Sequence, residues 1–357
     1  MLYHDLAVAI VTCTFLLLDV TSAVSKLPVI YFHGVFGTPQ DGKNFVSNLT
    51  AEGRIVESLS FCDGPCSIQS LLTQVPMAVK AVRKLVASNA AFNDGYIVVG
   101  HSQGGLLSRA VIEEMDDHKV KRYISLAGLQ NGQFIGPERV DKSIADGGTF
   151  LKMLVPETTY NYSGYRPGDY YGKLQREFAL YMIENPHAQY TYSQFSVNRW
   201  PHFCSFSRAN FFLPVYNNVN HCPCGDDSCE LEKKCGDHSC ELEKKRRKEN
   251  FLRVEQAHFF ASPADDVIMP WTSSIFGRYS EVHKIEEIET QFKKLTFVEM
   301  KDTLEYTADT FGLQTLDKRG GLFLHTVENV NHMCWIMDAY GCKWSTVNDK
   351  YLYPILV

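Results

Sequence analysis

The chain has 357 residues, 45% hydrophobic and 21% charged, an ordinary globular composition that excludes collagen-like, mucin-like and globally disordered chains. Lys and Arg number 35 against 41 Asp and Glu, for a formal charge of −6, so there is no basic field to attract a nucleic-acid backbone. At roughly 150 residues per domain, the length allows one large domain or two modest ones.

Residues 6–18 form a mostly apolar run of the length of a signal-peptide core, and Thr21-Ser22-Ala23 follows as a small-residue cleavage site. Segment 1–23 is therefore read as a signal peptide. The run is too short, and interrupted too soon by Asp19, to cross a bilayer, so no transmembrane segment is expected in the mature chain. Cleavage removes Asp5 and Asp19 and leaves a charge of −4. It also leaves ten cysteines: Cys62, Cys66, Cys204, Cys222, Cys224, Cys229, Cys235, Cys240, Cys334 and Cys342. An even count behind a signal peptide reads as disulfides formed in an oxidising compartment. The sequons at Asn48 and Asn161 fit a glycosylated route.

Past the leader, residues 27–32 are a short β-rich apolar run ending in His33-Gly34, a buried strand opening into a tight loop. A second strand is expected at 55–59. Residues 67–89 place apolar side chains at spacings of three and four, a helix with Ser67 available as its cap and a kink expected at Pro76. A strand at 96–99, a Gly-rich turn, a helix through Met115 and a strand at 122–127 follow. Alternating strand and helix argues a parallel sheet covered on both faces. From 131 to 250 the periodicity dissolves into aromatic, Pro-rich and Asn-rich sequence, read as an insertion or cap, and core strands resume at 256–261 and 321–327. The domain reading is thus a core of 24–130 and 251–357 interrupted by 131–250.

Within the insertion, an eleven-residue unit beginning at Cys224 repeats from Cys235 and differs only at Asp227 versus His238. Two copies are too few for a solenoid. The repeat 224–245 reads as a charged surface loop held by local disulfides in preference to a metal site built from its four cysteines with His221 or His238. No metal and no cofactor is expected.

The strongest chemical signal is Gly100-His101-Ser102-Gln103-Gly104-Gly105, set between an apolar strand and a helical pattern. That is the context of a nucleophile elbow, in which a sharp strand-to-helix turn lifts a serine hydroxyl out of the backbone at a helix N-terminus. Such a serine needs a base, and the base needs an acid to fix its tautomer. In this arrangement the acid and the His follow the Ser along the chain, on loops after later strands. Asp265 and Asp266 lie after the strand at 256–261, and the residue pattern leaves both open as the acid. His332 lies after the strand at 321–327 and is preferred over His325 within that strand, while His101 and His33 are read as shaping their loops. The oxyanion of acyl transfer calls for backbone N–H donors, expected from Gln103 and from Val35 in the loop after the first strand.

The sequence resembles the lysosomal palmitoyl-protein thioesterases. The matching pieces are residues 28–34, 102–105, 123–127, 130–134, 251–254, 270–277 and 311–316, with the segments at 251–254 and 270–271 more similar to the type-2 branch. The Cys-rich repeat and the pair Cys62 and Cys66 depart from the family pattern. The resemblance implies an α/β-hydrolase fold and hydrolysis of long-chain fatty acyl thioesters, either S-acylated peptides or acyl-CoA, in the lysosome. It places the triad on Ser102, Asp265 and His332 and so favours Asp265 over Asp266. Rival readings are a secreted lipase or carboxylesterase and a catalytically silent hydrolase fold used for binding. The apolar residues Trp200, Phe203, Phe206, Phe211, Phe212 and Leu213 of the insertion fit either a groove wall for an acyl chain or a small core of the insertion itself.

Overall fold

The computed structural model describes residues 26–138, 155–220 and 238–356; the leader and most of the Cys-rich repeat lie outside the described residues. Six strands form one sheet in the order β2-β1-β3-β4-β5-β8, and every pairing in it is parallel. They are β1 (Val29–Phe32), β2 (Val56–Ser58), β3 (Tyr96–His101), β4 (Val120–Leu126), β5 (Gln256–Ala261) and β8 (Leu322–Thr326). The central strands β1 and β3 are buried along their whole length, which is why they read as unbroken apolar runs and not as alternating ones. The strand at the edge, β8, is only partly covered and leaves Leu324 exposed. Two strands of two residues each, β6 (Arg278–Tyr279) and β7 (Phe297–Val298), pair antiparallel outside this sheet. They are too short to leave a sequence pattern.

Helix α1 (Lys43–Ala51) follows β1, and α2 (Leu71–Ser88) precedes β3 and continues through Pro76. The cap of α2 is Ser70, whose hydroxyl accepts the Leu72 N–H, and not Ser67. Both serines precede the same apolar stripe, and the chain spends Ser67 in a short helical turn elsewhere. Helix α3 (Gln103–Glu114) is buried over nearly all its length, against β3 and β4 on one side and α2 on another. Two of its charged residues, Arg109 and Glu113, are therefore buried together. The Arg109 guanidinium meets Glu113 at 2.9 Å, Gln130 at 2.8 Å and Asn217 at 2.7 Å, and lies over the Phe311 ring. Such a paired, hydrogen-bonded guanidinium offsets part of the large cost of desolvating it.

Between β4 and β5 the chain forms α4 (Lys173–Glu184), α5 (Ser193–Val197), α6 (Phe203–Ala209), α7 (Leu213–Tyr216) and α8 (His238–Leu252). The second copy of the repeat runs into α8, so Glu241–Lys245 is helix and not loop. Glu and Lys are good helix formers, and α8 docks on α3 through Arg246 and Glu114 at 2.6 Å. Trp200, Phe206, Phe212 and Leu213 are buried, with Trp200 edge-on to Phe206 and Arg199 over the Phe206 ring, and they belong to the same apolar core as the sheet. Arg199 also meets Asn131 and the fully buried Glu305, both at 2.8 Å, and so ties this segment to the loops beyond β4 and β5. Among the described residues, disulfides join Cys62 to Cys66 and Cys334 to Cys342.

Burial pushes the imidazoles of His101 and His258 down to about 3 and that of His118 to about 4. The unfolded chain therefore binds more protons at these three sites, and stability present above pH 6.5 is lost as pH falls toward 4. Burial raises the Glu113 carboxyl to about 7 and Glu281 above its ordinary value, which opposes the trend from two sites. Burial lowers the His325 imidazole as well, and four histidines outweigh two acids, so the melting temperature should fall by roughly 5 °C from pH 6.5 to 4.5 in a calorimetric series. A flat or rising series would contradict the burial of these histidines.

Candidate active site

The C-terminal ends of β1, β3, β5 and β8 carry the loops that hold the residues singled out above, the edge at which open parallel sheets bind ligands. At the end of β3 the chain turns into α3 within one residue. Ser102 takes φ 56° and ψ −130°, a backbone conformation that costs a side-chain-bearing residue about 1–3 kcal/mol. The turn is held from both sides. The Ser102 N–H donates to the Leu126 carbonyl at 2.9 Å, and α3 closes so near β1 that a Cβ on Gly104 would stand 2.3 Å from the His33 carbonyl oxygen. The first-turn N–H groups of α3 lack partners within the helix and carry its positive end toward Ser102.

His332 opens a short helical turn after β8 and is buried. Its Nδ1 lies 3.0 and 3.2 Å from the two carboxylate oxygens of buried Asp265. The carboxylate is itself fixed, since Oδ1 accepts the N–H groups of Val267 at 2.9 Å and Ile268 at 2.8 Å. An imidazole that donates from Nδ1 to a carboxylate keeps Nε2 free to take a proton. Asp266 does something different: its Oδ1 accepts the His332 backbone N–H at 3.0 Å and so places the loop. The structure thus separates two neighbours that the residue pattern leaves equivalent.

His101 contributes a further tie. Its ring packs 4.7 Å from that of His332, and its Nε2 lies 2.9 Å from the His332 carbonyl oxygen, which can only accept, so Nε2 carries the proton. Burial first, and then the neighbouring His332, keep the His101 imidazole neutral. Among the described residues no hydrogen bond joins the Ser102 hydroxyl directly to His332; contacts of this kind often tighten only with substrate bound. His325 stands apart, stacked on Phe260 with Nε2 3.1 Å from His258 Nδ1.

Across from Ser102 the loop after β1 makes a tight turn, closed by the Gly37 N–H on the Gly34 carbonyl at 3.0 Å, with Val35 and Phe36 at its two central positions. Phe36 takes φ 58°, the positive φ that the second central residue of a type II turn adopts, and its side chain is exposed. At Gly34 a Cβ would stand 2.9 Å from the Ser102 Cβ, so only glycine lets this backbone approach the serine so closely. Val35 and Gln103 thus lie on the two backbone segments nearest Ser102. His33 is buried, stacked on Phe61, with Nε2 3.1 Å from Asp63. Among the described residues no cluster of three or more His, Cys, Asp or Glu side chains could hold a metal ion. Of the repeat cysteines, Cys224, Cys229 and Cys235 fall outside the described residues. Asn48 and Asn161 are exposed.

The residues that the sequence pattern does not reveal are those behind the site. Gln130 and Asn131 bond to Arg109, Arg199 and Asn217 and anchor the loop after β4. Ser67 bonds to the turn after β1.

A family model described as palmitoyl protein thioesterase matches residues 28–332. A human protein named lysosomal thioesterase PPT2 is 29% identical, over 87% of this chain and 83% of its own. Lysosomal thioesterase PPT2-B of Xenopus laevis is 27% identical, over 93% and 96%. The solved structure of carboxyl esterase 2 from Tuber melanosporum aligns over 94% of this chain and 79% of its own, with 14% identity and a TM-score of 0.44.

Gly104→Ala should destabilise the fold by about 1–3 kcal/mol in chemical denaturation, because the added methyl meets backbone and not a movable side chain. An unchanged midpoint would contradict the close approach of α3 to β1.

Proposed function

We propose that this chain, which belongs to the palmitoyl protein thioesterase family, hydrolyses long-chain fatty acyl thioesters with Ser102 as nucleophile, His332 as base and Asp265 as the residue that orients His332. The observation that carries the reading is the Asp265 carboxylate on His332 Nδ1, in the loops that flank a serine held on a strained strand-to-helix turn. In the proposed cycle, Ser102 Oγ attacks the thioester carbonyl carbon and passes its proton to His332 Nε2. The oxyanion of the tetrahedral intermediate is received by the N–H groups of Val35 and Gln103, and Asp265 stabilises the imidazolium. Collapse breaks the C–S bond, and the sulfur takes the proton back from His332 Nε2 and leaves as the thiol, which returns His332 to its neutral form. Water, deprotonated by His332, then attacks the acyl-serine and releases the fatty acid.

A thioester suits this constellation because a thiol with pKa near 8.5 departs with little protonation, whereas an amine needs full general-acid help. The substrate is an S-acylated peptide or an acyl-CoA, and the segment between β4 and β5 acts as a cap over the core. The relatives' names carry the word lysosomal, and we assign this chain to the same compartment, reached through the leader at 1–23 and with glycans on Asn48 and Asn161.

Thiol release from palmitoyl-CoA should fall at least ~10³-fold in Ser102→Ala, with the fold retained. Asp265→Asn should lower kcat by about 10³–10⁴-fold by disfavouring the productive tautomer, while Asp266→Asn costs less than about tenfold. Ser102→Ala with undiminished turnover, or equal losses at the two aspartates, would contradict the assignment.

A further inference from the structure

The pair Cys62 and Cys66 stands outside the family pattern and outside the mechanism above, yet the loop it closes touches the site. The Gly64 N–H donates to the Gly37 carbonyl at 2.7 Å, and Asp63, held by Ser60 Oγ at 2.6 Å, meets His33 at 3.1 Å. Ser67 follows the disulfide at once and is fully buried. Its hydroxyl donates to the Gly64 carbonyl at 2.6 Å, which commits its one proton and leaves a lone pair for the Phe36 N–H, also at 2.6 Å. Its carbonyl accepts from Gln103 Nε2 and from Gln74 Nε2, each at 2.8 Å. Gln74 is fully buried as well and anchors on the Gln69 carbonyl at 2.5 Å.

The two backbone amides assigned to the oxyanion thus belong to separate elements, the turn after β1 and the first residue of α3, and one residue grips both. We propose that Ser67 is a positioning residue for the oxyanion site: its hydroxyl fixes the turn that presents Val35, and its carbonyl fixes Gln103, with the Cys62–Cys66 loop as the rigid mount. The inference rests on the function proposed above. Without the hydroxyl, the Phe36 N–H has no acceptor, in a turn already held at positive φ, and the Val35 amide is free to swing away from the position that the oxyanion takes. Donors act on the oxyanion only when they are preorganised at hydrogen-bond distance, so the loss belongs to the transition state and not to ground-state binding.

The test uses the full chain with palmitoyl-CoA as substrate and a long-chain alkyl trifluoromethyl ketone as a mimic of the tetrahedral adduct. Ser67→Ala should lower kcat about 10–100-fold, leave KM within about twofold and weaken the ketone by the same factor as kcat. Ser67→Thr, which keeps the hydroxyl, should recover most of both. Gln103→Met keeps the amide but loses the tie to Ser67, and should show the same split even if Ser67→Ala fails to fold. Folded variants with wild-type kcat and ketone affinity, or with KM raised and kcat unchanged, overturn the inference. Ser102→Ala separates the two levels: turnover retained there overturns the underlying mechanism, whereas turnover abolished there beside a wild-type Ser67→Ala overturns only the role of Ser67.

Discussion

The backbone of Ser102, held at φ 56° and ψ −130° between β3 and α3, is the constraint on which the rest of the molecule depends. A serine does not sit there unaided, and the surrounding structure holds it in place. The Leu126 carbonyl takes the Ser102 N–H, the Gly104 backbone presses on the end of β1, and the glycine at 34 lets the facing turn close over the serine. The contacts come from the ends of the two strands that flank β3, β4 and β1. That is possible only where parallel strands end side by side, so the sheet order and the position of the site are one fact.

Burying a helix as completely as α3 brings polar groups into the core, and hydrogen-bonded networks offset part of that cost. Arg109, Glu113, Gln130 and Asn217 form one group and Asn131, Arg199 and Glu305 another, and the Asn217 side-chain amide donates to Asn131 Oδ1 at 3.1 Å to link the two. Both join the loop after β4 to the segment that follows it. The same loop reaches the Asp265 turn, since Gln133 Nε2 donates to the Val267 carbonyl at 3.0 Å and Val267 in turn donates to Asp265. Structure far from Ser102 therefore bears on the carboxylate that faces His332.

Much of the sheet was legible in the chain. The strands at 27–32, 55–59, 256–261 and 321–327 appear with their ends moved by no more than two residues; those at 27–32 and 256–261 are buried on both faces and write themselves as apolar runs, while the edge strands are marked by short β-rich stretches. Ser102 announced itself through its glycines and its place between a strand and a helix. Other features lacked a local signal. Asp265 and Asp266 are neighbours of the same type, and only the position of His332, 66 and 67 residues on, distinguishes the one that meets Nδ1 from the one that meets the backbone. Ser67 read as a helix cap because its hydrogen-bond partner at Phe36 lies 31 residues earlier in the chain. The charged repeat read as loop because its polarity masked the helix formers that build α8.

The account stands or falls on covalent chemistry at Ser102. The most direct measurement is acid-quenched mass spectrometry of the protein mixed with excess palmitoyl-CoA, followed by peptide mapping. One palmitoyl group on the peptide that contains Ser102, formed and lost at rates consistent with turnover, is the predicted result. Turnover with no acyl-protein at any quench time, or acylation at another residue, would contradict it.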